Sequence, residues 1–363
     1  CSIALAQLGC AGINLGQDTT IDCSQQCITL KSSVLDVGLT SNYNITSIPF
    51  NPPFSFNQGS PIFVNQDDYF SPAIQLPFVF CFYGNNYNQI VVGANGLISF
   101  DISLANAFCE WNFSQSMPNI NGEPYRNSIN GPYHDLDPSV GGNVRYGVLG
   151  TYPCRTFVVN FDDVPHYDCN NLRTTFQIVL YETTNIIEIY VLDKPVCNSW
   201  NSGNAVLGIQ NSSGTIAHVP NNRNTSNWST SNEAWQFIPS GGSSINSVQW
   251  FDSSGTYISS GDSIVVCPTD STQYSATVTY NSCSGNLVVE SDTININVLS
   301  SGGQNVNINL GDTSICSGDS ILLFGYNSSN YSWNNGILDS TFFIPSVTDY
   351  FVVNATDSNG CSS

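Results

Sequence analysis

A Trp-led motif occurs twice in the last third of the chain, and it restricts that region to small β-modules. Val248-Gln249-Trp250-Phe251-Asp252 is followed by Thr272-Gln273-Tyr274 and Cys283, and Tyr331-Ser332-Trp333-Asn334-Asn335 is followed by Thr348-Asp349-Tyr350 and Cys361. Each copy sets a Trp ahead of a Thr-x-Tyr that enters an apolar-alternating strand, with a Cys just beyond. That is the pattern of small β-sandwiches strung in an array, which serve as stalks or binding surfaces more often than as enzymes. The first copy continues to Thr293-Ile294-Asn295-Ile296-Asn297-Val298, whereas the second stops two residues after Cys361. The second module is therefore expected to lack its closing strand, to be supplied by a longer polypeptide or by a neighbouring chain.

Composition sets the compartment. The 363 residues suffice for two or three domains with proper cores. Only 9% are charged, and 7 Lys+Arg against 27 Asp+Glu give a formal charge of -20. Such a surface repels phosphate backbones and anionic lipid heads, so nucleic acid and membrane surfaces are poor candidate partners. Thirteen cysteines without zinc-knuckle spacing indicate disulfides in an oxidising compartment. Ser2-Ile3-Ala4-Leu5-Ala6-Gln7 reads as the tail of a signal peptide cleaved after Ala6, which removes Cys1 and leaves an even count. Cys1 as a lipid-bearing first residue or as an ordinary half-cystine are the alternatives. No apolar run approaches the roughly 20 residues that span a bilayer. A secreted, extracellular or cell-surface protein is expected.

Gly-Ser joints at Pro239-Ser240-Gly241-Gly242-Ser243-Ser244 and Ser300-Ser301-Gly302-Gly303-Gln304 mark the divisions. The expected parts are a signal remnant and opening strand over 1–30, a large β-sandwich over 31–240, a small module over 241–300 and another over 301–363. Strands are expected at 78–82, 90–92, 97–100, 156–161, 175–181 and 186–191, with no helical periodicity, so the fold class is all-β. Strands 175–181 and 186–191 form a hairpin around Glu182-Thr183-Thr184-Asn185. Cys169 and Cys197 flank that hairpin almost symmetrically and are expected to pair, as antiparallel strands bring flanking positions together. Cys316 with Cys361, Cys267 with Cys283 and Cys81 with Cys109 are the other pairings favoured, although spacing alone does not fix connectivity.

The middle unit resembles the extracellular NIDO-type domain of nidogen-like adhesive proteins. The resemblance is carried by Leu76-Pro77-Phe78-Val79-Phe80, Phe82-Tyr83-Gly84, Val91 to Phe100, and Gly131-Pro132-Tyr133-His134-Asp135-Leu136-Asp137. Arg155 to Phe161 and Phe176 to Tyr181 extend it. The whole chain, with its Leu-Gly-x-Asp-Thr-like opening strands and Trp, Tyr, Cys modules, is similar to long surface proteins of gliding bacteria. Those proteins carry Ig-like or PKD-like repeats and leave the cell by the type IX secretion route. The resemblance implies a NIDO-like β-sandwich followed by Ig-like modules in a secreted adhesin or filament. It also implies O-glycan acceptors at Ser263, Thr293, Ser320 and, more loosely, Thr19.

Asp135 and Asp137 lie two apart, so in extended chain both carboxylates face one side. With loop carbonyls they can hold a structural calcium ion, whereas the favoured alternative is that they cap a sharp loop. Asp67-Asp68 and Asp162-Asp163 are further acidic pairs without calcium-loop spacing. Asp135 with Glu182 as acid and base has no motif behind it. His134, His166 and His218 come without a Gly-x-Ser-x-Gly elbow, so no enzyme is expected and no cofactor beyond that calcium. Among Trp111, Trp200, Trp228 and Trp235, Trp200 and Trp228 are the candidates for stacking on sugars. The expected function is structural and adhesive, with copies of the chain or neighbouring surface proteins as partners. The alternatives are a carbohydrate-binding module and a filament subunit joined by strand donation.

Overall fold

The computed structural model describes residues 9–22, 27–35, 37–62, 66–121, 124–243, 245, 247–281, 285, 287–299, 306–328 and 330–356. Strands dominate them, and the helical pieces among them are three single 3-10 turns at Ile102–Leu104, Asn201–Gly203 and Asn334–Gly336. The fold is all-β. The chain divides into two compact units, one built around Val34–Asn246 with Thr279–Glu290, the other from Ile13–Ser33, Ser247–Val278 and Ser291–Ser363.

The first unit is a sandwich of two antiparallel sheets. One runs in spatial order Ala217–His218, Asn204–Gln210, Ser128–Tyr133, Leu97–Ser99, Asn85–Gly93, Ile74–Phe82. The other runs Tyr43–Ser47, Thr230–Pro239, Ile187–Lys194, Cys169–Tyr181, Thr156–His166, Asn143–Leu149, Ser60–Pro61. In Ile74–Phe82 the two-residue period of a strand sends Leu76, Phe78, Phe80 and Phe82 inward and leaves Val79 exposed. The register shift between Gln75 and Phe80 brackets Pro77, which has no N–H to give the ladder. Those side chains meet Phe157, Phe161, Phe176, Ile178 and Ile189 of the facing sheet in one core, each stabilising it by about 1.5–3 kcal/mol. Phe161 and Phe176 are cross-strand partners stacked at 4.5 Å. Position 131 has to be glycine, because a Cβ there would lie 2.2 Å from Phe176 Cε2. The hairpin expected at 175–191 is present in longer form, Cys169–Tyr181 against Ile187–Lys194.

The second unit is assembled from distant pieces of chain. Thr19–Ile21 pairs in parallel with Ile296–Val298, and Ile28–Lys31 pairs with Ser263–Val266. A disulfide joins Cys27 to Cys267 across a sequence separation of 240. The opening segment is therefore no separate remnant. From Ile13 onward it supplies strands to the module that follows the sandwich, and the larger domain is inserted within the smaller module. Residues 1–8, including the expected signal tail and Cys1, lie outside the described residues. Trp250 is fully buried and its indole N–H donates to Gly261 O at 2.8 Å. In the second Trp copy, Trp333 is buried with Ile321 and Leu323 and donates to Asp339 Oδ1 at 2.9 Å. Thr341–Phe343 is the next strand after Trp333, and Thr348-Asp349-Tyr350 precedes the one that follows, Val353–Thr356, instead of entering it, with Tyr350 exposed.

Three expected disulfides are corrected. Cys267 is bonded to Cys27 and not to Cys283, which lies outside the described residues. Cys109 is a buried free thiol while Cys81 is disulfide-bonded, so these two do not pair. Cys316 is a free, exposed thiol in place of the expected bond to Cys361, itself outside the described residues. The structure contains Cys169–Cys197 and also Cys10–Cys154. Spacing misleads here because sheet pairing, not proximity in sequence, decides which Cβ atoms come within bonding distance.

Candidate functional site

Three loops at one end of the sandwich converge on Asn95, which is fully buried. Its Nδ2 donates to Asp68 Oδ1 at 2.9 Å and to the carbonyls of Cys109 and Glu110 at 3.3 Å each. Its Oδ1 accepts from Leu136 N at 2.9 Å, and its backbone O accepts from His134 N. One side-chain amide thus fixes the 66–70 turn, the 108–111 loop and the strand exit that carries Asp135. Asp68 sits in the left-handed region at φ 56°, which Asp tolerates better than most residues.

This convergence brings Asp67, Asp68 and Asp135 together, with one oxygen of each within 4.8 Å of the others. Burial pushes Asp135 up to about 7, the charges of Asp68, Asp67 and Asp137 add to the rise, and the Trp200 hydrogen bond opposes it. Burial likewise lifts Asp67 to about 7, with Asp68 and Asp137 adding to it. Asp137 plays another part. Its Oδ1 accepts from Ser139 N at 2.9 Å and from Ser139 Oγ at 2.5 Å, which is the loop-capping alternative. The carboxylates that join Asp135 come from residues 67 and 68, a pair whose contact depends on the tertiary fold.

An aromatic group borders the cluster. Trp200 Nε1 donates to Asp135 Oδ2 at 2.6 Å, and its ring lies 5.4 Å from Trp111 and 4.9 Å from Tyr167. Trp200 and Trp111 are half-buried, and Tyr167 is exposed. Trp228 is excluded as a stacking platform. It is only 7% exposed, its indole donates to Ala205 O, and its faces meet Lys194 and Arg223, each at 4.6 Å. Lys194 Nζ donates to Trp228 O at 2.6 Å, and burial, with Arg223 adding, pushes its ammonium down to about 7.

Below Asp135 lie two buried histidines. His134 Nδ1 donates to Pro132 O at 2.5 Å, which leaves Nε2 as an acceptor facing His166 Nε2 at 3.1 Å. Burial, aided by His166 and Lys194, holds His134 well below its ordinary value. Burial and Lys194 push His166 down to about 3. Both rings are neutral and mutually satisfied. His218 instead holds Tyr83 OH at 2.7 Å. Glu182 is bound by Arg155 through Nε at 2.8 Å and Nη2 at 2.5 Å. In the second unit, Ser263, Thr293 and Ser320 are exposed and Thr19 is half-buried.

The sandwich is all-β and cross-linked by disulfides of the kind that form in oxidising compartments, and no helix among the described residues is long and apolar enough to cross a membrane. The sequence matches the NIDO-related family over residues 42–247, more than half of the chain, and the chain belongs to that family. No curated protein matches the chain.

Proposed function

We propose that this chain is part of a secreted, cell-surface structural and adhesive protein in which the NIDO-related domain is the displayed contact module and the smaller β-modules, Ig-like in type, are its carriers. The observation that carries this reading is the Cys27–Cys267 bond, which closes a loop of 240 residues around the domain. Tension applied outside those two cysteines crosses the S–S bond and bypasses residues 28–266. A domain placed in this way keeps its contact surface while its carriers bear load. The formal charge of -20 suits contacts with neutral polymers or protein surfaces rather than polyanions. Copies of the same chain and neighbouring surface proteins are the partners this reading names, in the gliding-bacterial, type IX-exported setting that the resemblance implies. No catalytic step belongs to it.

The test is to pull on the two chain ends of single molecules, oxidised and reduced. The reduced chain should release about 240 residues more contour than the oxidised one, roughly 800 Å at ~3.4 Å per residue. Equal contour lengths would sink the reading. Ordered polymers in negative-stain micrographs of the native protein would instead favour a filament joined by strand donation.

The glycan-binding reading rests on Trp111, Trp200 and Tyr167, a partly exposed aromatic group in ring contact. Loss of binding to a glycan panel in Trp200→Ala would support it. A panel without any hit for the intact chain would discard it.

A further inference from the structure

We infer that Asp67, Asp68 and Asp135 form a binding site for a calcium ion, built into the NIDO-related domain independently of any adhesive role. Acidic clusters are common on surfaces and usually mean nothing, but this one is partly buried, with Asp67 and Asp68 half-buried. Asp135 is only 6% exposed. Its Oδ1 and the Oδ1 of Asp67 are both shut away from solvent with no hydrogen-bond partner. A carboxylate oxygen has room for two donors, and leaving it buried with none costs about 1–3 kcal/mol or more. Among the described residues, the ion pairs are Arg155–Glu182, Arg173–Asp163 and Arg223–Glu233, and none reaches the cluster. Three carboxylates are therefore gathered with no side-chain cation to offset them.

The geometry fits an ion at their centre. Calcium takes oxygen ligands at about 2.3–2.6 Å, so two oxygens on opposite sides of it stand roughly 4.8 Å apart. The oxygens of the cluster lie within 4.8 Å of one another. The outer oxygens are already held in place, Asp68 Oδ1 by Asn95 and Asp135 Oδ2 by Trp200. This leaves the remaining oxygens for the ion, the division of labour between ligand and supporting shell found in metal sites. All ligand atoms are hard oxygens, and both His134 ring nitrogens are occupied elsewhere, so zinc and copper are disfavoured. Magnesium demands a small octahedral shell and retains its waters, whereas an irregular set drawn from two loops suits calcium.

Terbium, a luminescent calcium substitute, tests the site on the full chain after chelator dialysis. Trp200 touches a ligand, so excitation of tryptophan should sensitise terbium emission. Calcium should displace it and equal magnesium should not. Asp67→Asn and Asp135→Asn should each raise the half-saturating terbium concentration roughly tenfold or more, while Asp163→Asn leaves it unchanged. Emission that calcium cannot displace, or that both cluster variants retain at full affinity, overturns the site. Should the variants fail to fold, calorimetry of the unaltered chain decides. Calcium over chelator should raise the melting temperature of the NIDO-related domain, and an unchanged transition overturns the site equally.

Discussion

The NIDO-related domain and the module whose chain segments flank it are both all-β, yet they are held together by different means. The domain has a continuous core in which Phe80, Phe82, Phe157, Phe161 and Phe176 are all fully buried, and within it buried Asn95 and the His134–His166 pair find partners. The module has far less to bury. Its sheet pairs Thr19–Ile21 with the sequence-distant Ile296–Val298, and a covalent bond closes the circuit. Small domains bury too little surface to be secure by packing alone, so cross-links take over. The difference teaches that a large domain can be inserted into a small one when the host is stapled at the insertion point.

Calorimetry can break that comparison. Phe176→Ala removes the ring stacked on Phe161 at 4.5 Å and should lower the stability of the NIDO-related domain by about 3–5 kcal/mol, leaving the transition of the second unit in place. A single shared transition that shifts as a whole would show that the two cores are not self-contained. The reciprocal experiment is Cys27→Ser with Cys267→Ser. It should cost the second unit about 2–4 kcal/mol and leave the melting temperature of the domain unaltered, and a larger loss in the domain than in the module would reverse the assignment.

A smaller effect sharpens the account of the domain's buried charge. Folded Lys194 is pushed down to about 7 by burial and Arg223, while the unfolded side chain titrates near 10.4. Between those values the unfolded chain holds the extra proton, so stability should rise with pH across that window. Urea midpoints at pH 7 and pH 9 should show the domain gaining about 1–2 kcal/mol. Lys194→Met should lack the gain, and an equal gain in that variant would refute the assignment.

Much of the fold was legible in the residues. Alternation in Leu76-Pro77-Phe78-Val79-Phe80 and in the 175–191 hairpin marked strands because a strand with one face in the core must repeat every two residues. The Trp250 and Trp333 motif marked two module cores for the same reason. The opening strand expected within 1–30 is present as Thr19–Ile21, but no local pattern marked Ile296–Val298 as its partner. At the candidate site, Asp135 stood out beside His134, but spacing offered Asp137 as its companion. The actual companions, Asp67 and Asp68, share no sequence period with it.

By itself, then, the sequence determined the all-β class, the NIDO-like middle, the two buried Trp positions and the Cys169–Cys197 staple across one hairpin. The NIDO-like middle rests on a resemblance carried by several motifs, and the others depend on local period or on neighbours joined by a short turn. Tertiary structure alone decided that residues 13–33 close the module after residue 247, that Cys27 meets Cys267, and that three aspartates from two separate loops come together. Those contacts are set by how sheets stack and where loops land once a core has formed, and their free energy comes from burial, which no local pattern records.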